Sequence, residues 1–132
     1  MTGEINISVL VKGMAPNLNK GEFVFCTIGD SNSIDRADFI CEFKESEGVS
    51  IVIEKQKADQ LKLKYNSIFN WITLMIHSSL EAIGLTAIVS TELAKHNMSC
   101  NIIAGYYHDH IFVNKKNATK AMQVLIDLSK NY

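Results

Sequence analysis

The chain has 132 residues, of which 47% are hydrophobic and 20% are charged. These proportions are typical of a folded globular protein and exclude an intrinsically disordered one. The net charge is −1 and there is no basic block, so we expect no nucleic-acid partner. No apolar run approaches the roughly 20 residues that span a bilayer, and the N-terminus lacks the pattern of a signal peptide, so we expect no membrane association.

The three cysteines have no spacing that is typical of a metal or redox site. Cys26, Cys41 and Cys100 each lie in an apolar strand candidate, where cysteine serves as a small hydrophobic residue. The sequence therefore predicts a reduced, cytoplasmic protein.

The N-terminal segment, residues 5–14, has two competing hydrophobic patterns. Ile7 and Val9 alternate with polar residues as in a strand, whereas Leu10 and Met14 are spaced as on a helix. A helix here would have to end before the chain's one proline, because the residue preceding a proline avoids helical geometry.

The middle of the chain has the alternation expected of three strands followed by a short helix. Turn residues at 29–33 and polar residues at 44–48 separate the strands. The helix would point Ala58 and Leu61 inward. The predicted bounds are 23–28, 37–43 and 49–53 for the strands and 55–64 for the helix.

The rest of the chain gives a strand, a loop, a helix and two further strands before a final amphipathic helix. The loop contains two serines and ends in Gly84, and Asn114 can cap the final helix. The predicted bounds are 71–76 for the first strand, 77–84 for the loop, 85–97 for the helix, 99–104 and 108–113 for the strands, 105–107 for the turn between them, and 118–128 for the apolar stripe of the final helix.

This order is most of a ferredoxin-like βαββαβ unit, so the predicted fold class is α+β with antiparallel sheets that carry helices on one face. The C-terminal half is one strand short at its end, and the N-terminal half lacks an obvious opening strand. Either the two halves complete one another's sheets or a second chain supplies the strands. The sequence leaves both accounts open.

Three segments resemble the second half of small bacterial tandem ACT-domain proteins and, more loosely, the regulatory ACT domains of aspartokinase: H-S-S-L-E-A-I-G-L-T-A-I-V-S-T-E-L-A, S-C-N-I-I-A-G and Y-Y-H-D-H-I-F-V. Upstream, F-V-F-C-T and E-G-V-S-I-V-I also match. The resemblance implies two ferredoxin-like, ACT-type halves, about 1–64 and 65–132, and favours a helix in residues 5–14. It also implies a non-catalytic regulatory protein.

The sheet face without helices carries large apolar residues. Trp71, Thr73 and Met75 share one side of their strand, and His110 and Phe112 share a side of theirs. Such a face should be polar if it meets water. We therefore expect it to pack against the other half or a partner chain, which makes a homo-oligomer such as a dimer the expected state.

The histidines are candidate metal ligands. His108 and His110 point to one face of a strand, with Asp109 opposite, and His77 lies in the loop. A third ligand at a plausible distance is not specified. We therefore predict no bound metal and no cofactor.

Ser78 and Ser79 beside His77 are candidate nucleophiles. However, no glycine-flanked turn surrounds them, and no acid is placed to orient the histidine. The prediction is that the protein has no catalytic residues and is not an enzyme.

The loop opens directly onto a helix, where unpaired N–H groups and the positive end of the helix dipole suit a carboxylate. Ser78 and Ser79 add hydroxyl donors, and Glu81 can accept from an amino group. Alternatively, these side chains only cap the helix. The resemblance implies a ligand, typically an amino acid, between this loop and a neighbouring strand at a domain interface. The candidate ligand-binding residues are His77, Ser78, Ser79, Leu80, Glu81, Gly84, Leu85, Asn101, Ile102, Ile103, Ala104 and Gly105.

Three functions follow. The first is a regulatory module that senses a small molecule, most simply an amino acid. The second is an oligomerisation or interaction module without a ligand. The third is a metal-dependent enzyme that uses His108 and His110.

Overall fold

The computed structural model describes residues 3–29 and 34–132. The chain divides into two compact units: residues 1–20 together with 70–132, here named the terminal unit, and residues 21–69, here named the central unit. The elements in chain order are α1 (Ile7–Lys12), β1 (Pro16–Leu18), β2 (Phe23–Ile28), β3 (Phe39–Lys44), β4 (Val49–Glu54), α2 (Lys55–Gln60), β5 (Phe69–Leu74), α3 (Leu85–Lys95), β6 (Cys100–Ala104), β7 (Asp109–Asn114) and α4 (Ala118–Asn131).

The terminal unit contains strands in the order β1-β5-β7-β6. β1 pairs antiparallel with β5, so that Pro16 lies opposite Leu74 and Leu18 lies opposite Ile72. This answers the question that the sequence left open for the C-terminal half. Residues 16–18 of the same chain take the place of the missing fourth strand beside β5.

Three helices cover one face of this sheet. Leu10 and Val11 of α1 are fully buried with residues of α3, α4, β5 and β7 in one core. The buried strand residues come from alternate positions of β5 and β7, which confirms the α+β class with helices on one face. They are Ile72, Leu74, Ile111 and Val113.

The end of α3 is set by its local hydrogen bonds. Met98 N donates to Leu93 O at 3.1 Å, and Asn97 N donates to Ala94 O at 2.9 Å. Asn97 has a φ of 61°, in the left-handed region that ends many helices. Because Met98 is buried against the same core as Leu93, this cap ends α3 at Lys95, two residues before the predicted bound.

The central unit contains strands in the antiparallel order β3-β4-β2 with α2 packed on them. Its core joins alternate residues of β2 and β4 to Ala58 of α2. Glu45 and Gly48 exchange backbone hydrogen bonds, N to O, at 2.9 and 3.4 Å, so the predicted tight connection between β3 and β4 is confirmed. Of the predicted turn at 29–33, all but Gly29 lies outside the described residues.

Several predicted details are wrong. Ala37 and Asp38 belong to a 3-10 turn, Arg36–Asp38, capped by Asp35, instead of to β3. Leu61 is 38% exposed because α2 already ends at Gln60. The predicted strand 71–76 is β5, which begins and ends two residues earlier.

The sheet face without helices in the terminal unit is partly as predicted. Phe112 is buried and Trp71 is half-buried, and their rings stack with centroids 6.0 Å apart. Met75, predicted to share this face, lies after β5 and is 48% exposed. The packing of this face on a second sheet or chain stays a prediction. Among the described residues, no helix has both the length and the apolar character needed to cross a membrane.

Candidate functional site

The loop between β5 and α3, residues 77–84, is tied to the N-terminal segment. Glu4 N donates to His77 O at 2.9 Å, and Ser79 N donates to Glu4 O at 2.9 Å. A Cβ on Gly3 would lie 2.6 Å from both Ser78 C and Ser79 N, so only glycine fits there without a shift of the backbone. The N–H of Ser79 is therefore occupied and is not available to a ligand.

Ser78 is buried and faces an acid. Its hydroxyl donates to Asp109 Oδ2 at 3.1 Å, and both residues are less than 10% exposed. The sequence offered no sign of this acid beside Ser78, because it is the fold that brings the start of β7 to the loop. The serine contacts the carboxylate directly, without a histidine between them, so the arrangement is not that of a catalytic triad. The hydroxyl proton of Ser78 is used within the protein.

Ser79 organises the turn before the helix. Its Oγ accepts from Glu81 N at 3.1 Å, and its backbone O accepts from Ala82 N at 3.0 Å. This turn presents Leu80 and Ile83 to solvent, 64% and 86% exposed. Ser79 keeps its own hydroxyl proton available for another acceptor.

Gly84 begins α3 in a conformation that suits glycine. Its φ is 109°, and no side chain caps the helix that follows. Gly84 O accepts the first helical bond, from Ile88 N at 2.9 Å, so residues 85–87 carry the first-turn N–H groups. A Cβ at Gly84 would lie 3.4 Å from Ile7 Cδ1, which shows how closely α1 approaches. The start of α3 is thus a set of backbone donors at the positive end of the helix.

The predicted facing strand is only partly close to this loop. In the β6–β7 pair, Ala104 lies opposite Asp109, whereas Asn101 lies opposite Phe112, three residues further along β7. Three residues of a strand span about 10 Å. The structure therefore brings the Ala104–Gly105 end toward Ser78, and it leaves Asn101, Ile102 and Ile103 further from the loop.

The turn after β6 supplies aromatic side chains that the sequence analysis did not select. Tyr107 lies against His77, with ring centroids 5.2 Å apart, and against Tyr106, with centroids 5.0 Å apart. Both tyrosines are more than 60% exposed. Two adjacent tyrosines after a glycine are the only sequence signal for this group, and a turn assignment alone gave no reason to place them beside His77.

His110 belongs to a polar network on the sheet. Its Nδ1 accepts from Trp71 Nε1 at 3.0 Å and lies 3.2 Å from Thr73 Oγ1, which accepts from Asn19 Nδ2 at 2.9 Å. Burial is the main cause that lowers the pKa of His110, and the nearby His108 lowers it further, against a smaller opposite effect of Asp109.

The histidines do not converge. His108 Nδ1 lies 3.3 Å from Ile76 O, whereas His110 bonds Trp71. Within residues 3–29 and 34–132, no group of three or more histidine, cysteine, aspartate or glutamate side chains is placed to hold a metal ion.

Comparison with known proteins places this architecture in a family. Two ACT-domain family models match the chain, one over residues 2–70 and the other over residues 66–127. The chain therefore belongs to the ACT-domain family, as two domains in tandem, and the resemblance noted in the sequence is confirmed. No curated protein matches it.

Several solved structures are similar to this chain. A Vibrio cholerae protein of unknown function, described as a possible transport protein, is 45% identical, with 92% of this chain and 94% of that chain covered and a TM-score of 0.83. Aspartokinase alpha and beta subunits are 11% identical, with 86% and 95% covered and a TM-score of 0.60. The aspartate kinase of Clostridium acetobutylicum is 16% identical, with 89% and 34% covered and a TM-score of 0.62. At these lower identities the two kinases show a shared fold only.

Proposed function

We propose that this protein is a non-catalytic regulatory ACT-domain protein that senses an amino acid at the start of α3. Membership of the ACT-domain family supports a regulatory, ligand-binding role. The observation that carries the proposed location is the uncapped start of α3 at Gly84, which follows a loop fixed by the N-terminal segment.

The chemistry of the loop fits an amino acid. The first-turn N–H groups of residues 85–87 are suited to the ligand carboxylate, and the Ser79 hydroxyl can add a donor. Glu81 is exposed and can accept from the ligand ammonium group. No lysine or arginine occurs between residues 65 and 94, so the loop and the start of α3 themselves offer the carboxylate only backbone and hydroxyl donors. In this proposal the Gly105 end of the turn after β6 forms the opposite wall.

A thermal-shift screen with the twenty amino acids, followed by calorimetry on each hit, tests the proposal. We expect one or a few amino acids to raise the melting temperature. Ser79→Ala should weaken the binding of such a hit by about 1 kcal/mol, the usual contribution of one hydrogen bond. Gly84→Val should abolish binding, because its side chain occupies the space beside the helix start.

Two controls make this result specific. Ser99→Ala removes a hydroxyl at the other end of α3 and should leave affinity unchanged. Valine is strained at the φ of Gly84, so the melting temperature of each unliganded variant must be measured first. If an amino acid binds and neither substitution changes its affinity, the ligand lies elsewhere.

An interaction module without a ligand is the second candidate, and one observation favours it. Apolar and aromatic side chains near the loop are unusually exposed: Leu80, Ile83, Tyr106 and Tyr107. Such exposure fits a surface for another copy of the chain, and we propose that the protein is a homo-oligomer, most simply a dimer. A monomer at micromolar concentration in analytical ultracentrifugation would refute this part.

We propose a cytoplasmic location, since Cys26, Cys41 and Cys100 are free thiols. Burial raises the pKa of all three thiols, which disfavours the reactive thiolate. The direct contact of Ser78 with Asp109 and the separate partners of His108 and His110 support a protein without catalytic residues.

A further inference from the structure

A cavity of about 710 Å³ lies at the opposite end of α3 from the proposed amino-acid site. It is bounded by the end of α3, the start of β6, the end of β7 and the start of α4. The eleven residues of α3 separate the two places by about 16 Å, at 1.5 Å per residue. The cavity is an open groove, and most of the polar side chains that line it are exposed to solvent.

The lining of this cavity is cationic and rich in hydrogen-bond donors. Lys116 and Lys120 contribute two ammonium groups, and neither aspartate nor glutamate lines it. The other polar side chains are His96, Asn97, Ser99, Asn114 and Asn117. The two lysines therefore place two positive charges in the lining, and no carboxylate there opposes them, within a chain whose net charge is −1.

Several of these donors are not used by the protein. Within residues 3–29 and 34–132, the side chains of Asn97, Ser99 and Asn117 have no hydrogen-bonding partner, and Lys116 has no ion pair. Lys120 Nζ donates one hydrogen bond, to His96 O at 3.3 Å, which leaves two of its three protons.

Backbone groups contribute less. Lys116 N already donates to Asn114 Oδ1 at 3.1 Å, and Met98 N donates to Leu93 O. A ligand here would be held by side chains. Two lysines with amide and hydroxyl donors, and no carboxylate among them, are complementary to a compact dianion with several acceptor oxygens.

We propose that this cavity binds a phosphate group, as inorganic phosphate or as the phosphate of a small ester. Lys116 and Lys120 neutralise its charge, and the side chains of Asn97, Ser99 and Asn117 donate to its oxygens. The site is separate from the proposed amino-acid site, so either one can exist without the other.

Amide chemical shifts of the full chain, titrated with inorganic phosphate or with phenyl phosphate at constant ionic strength, test this. We expect saturable shifts in residues 94–99 and 114–120. Lys116→Gln and Lys120→Gln should each weaken binding roughly three- to tenfold, while Lys130→Gln, an equal charge change on an exposed part of α4, should not. Tighter binding of phenyl phosphate would identify an ester as the ligand, and equal or weaker binding would identify inorganic phosphate.

Each result that would contradict the phosphate site can be told apart from the others. No saturable shift, or equal weakening by Lys130→Gln, would show that the cavity is not a phosphate site. Shifts confined to residues 77–87 would place the anion at the start of α3 and overturn this inference, while leaving the proposed amino-acid site intact. Melting temperatures without phosphate show whether loss of the Lys120 contact to His96 disturbs the fold.

Discussion

The hydrogen bond between Trp71 and His110 in the terminal unit depends on the protonation state of the imidazole. The indole N–H of Trp71 can only donate, so it requires an unprotonated Nδ1 on His110. If Nδ1 of His110 were protonated, its N–H would face the N–H of Trp71, and the hydrogen bond between them would be lost. The Trp71–His110 bond and the burial of the ring therefore both favour the neutral imidazole, in agreement with its lowered pKa.

This predicts the pH dependence of stability. With a folded pKa below the ordinary value of 6.5, the unfolded chain binds the proton more readily. The stabilisation is fully present above about 6.5 and is lost as the pH falls from there toward the folded pKa. Urea unfolding between pH 7.5 and 5 should show it, with the chain's one tryptophan as the probe.

His110→Gln is the matched control, because an amide oxygen can accept from Trp71 without titrating. Its unfolding free energy should change less over this range than that of the wild type. Equal pH dependence of the two proteins would show that His110 is not the group responsible.

Ser78 and Asp109 form the second residue-level prediction. Ser78→Ala removes the hydroxyl that donates to the buried side chain of Asp109, which should destabilise the fold by about 1–3 kcal/mol. In the double variant with Asp109→Ala, the loss of unfolding free energy should be smaller than the sum of the losses in the two single variants. Additive effects in urea unfolding would contradict a direct interaction between the two side chains.

At the scale of the element, β1 is the least expected part of the fold. It is a three-residue strand that begins at a proline, too short to show an alternating pattern. By contrast, strand β2 and helix α4 were predicted closely, since each carries a long periodic run. The bounds of β5 were wrong because the apolar run continues through Met75 and Ile76 after the ladder has ended.

The same contrast applies to the site. Gly84 at the start of α3 was predictable, because a glycine before a helical pattern is a local signal. The partnership of Ser78 with Asp109, and that of His77 with Tyr107, was not, since each joins residues about 30 positions apart. Only the pairing of β5 with β7 brings these residues together.

The role of β1 and α1 leads to a prediction about fragments. A fragment of residues 65–132 lacks β1 and the buried residues Leu10, Val11 and Met14. It should not unfold cooperatively on its own, and a peptide of residues 3–19 added in trans should restore cooperative unfolding. Circular dichroism with and without the peptide measures this. A cooperative transition of the fragment alone would show that the N-terminal segment is dispensable.

At the scale of the whole molecule, the family regions and the packing units divide the chain differently. The matched ACT regions are residues 2–70 and 66–127, whereas the terminal unit joins residues 1–20 to 70–132. The first helix and strand of the chain thus pack with the second ACT region. The predicted boundary near residue 64 stays a prediction. It concerns where one ACT-related sequence region ends and the next begins, and not how the chain divides into packing units.

This packing places the N-terminal segment beside the proposed amino-acid site. The N-terminal segment contacts the loop through Glu4 and approaches Gly84 through Ile7. A ligand at the start of α3 would therefore meet residues from both ends of the sequence within one unit. Binding there would be coupled to the order of the N-terminal segment, a physical route from ligand to regulation.

The most direct test of the regulatory account is an amide chemical-shift titration of the full chain with an amino acid that raises its melting temperature. The account predicts saturable shifts centred on residues 79–87, with smaller changes at residues 3–7 and at Gly105. Shifts centred elsewhere, or no saturable shift with any of the twenty amino acids, would contradict it.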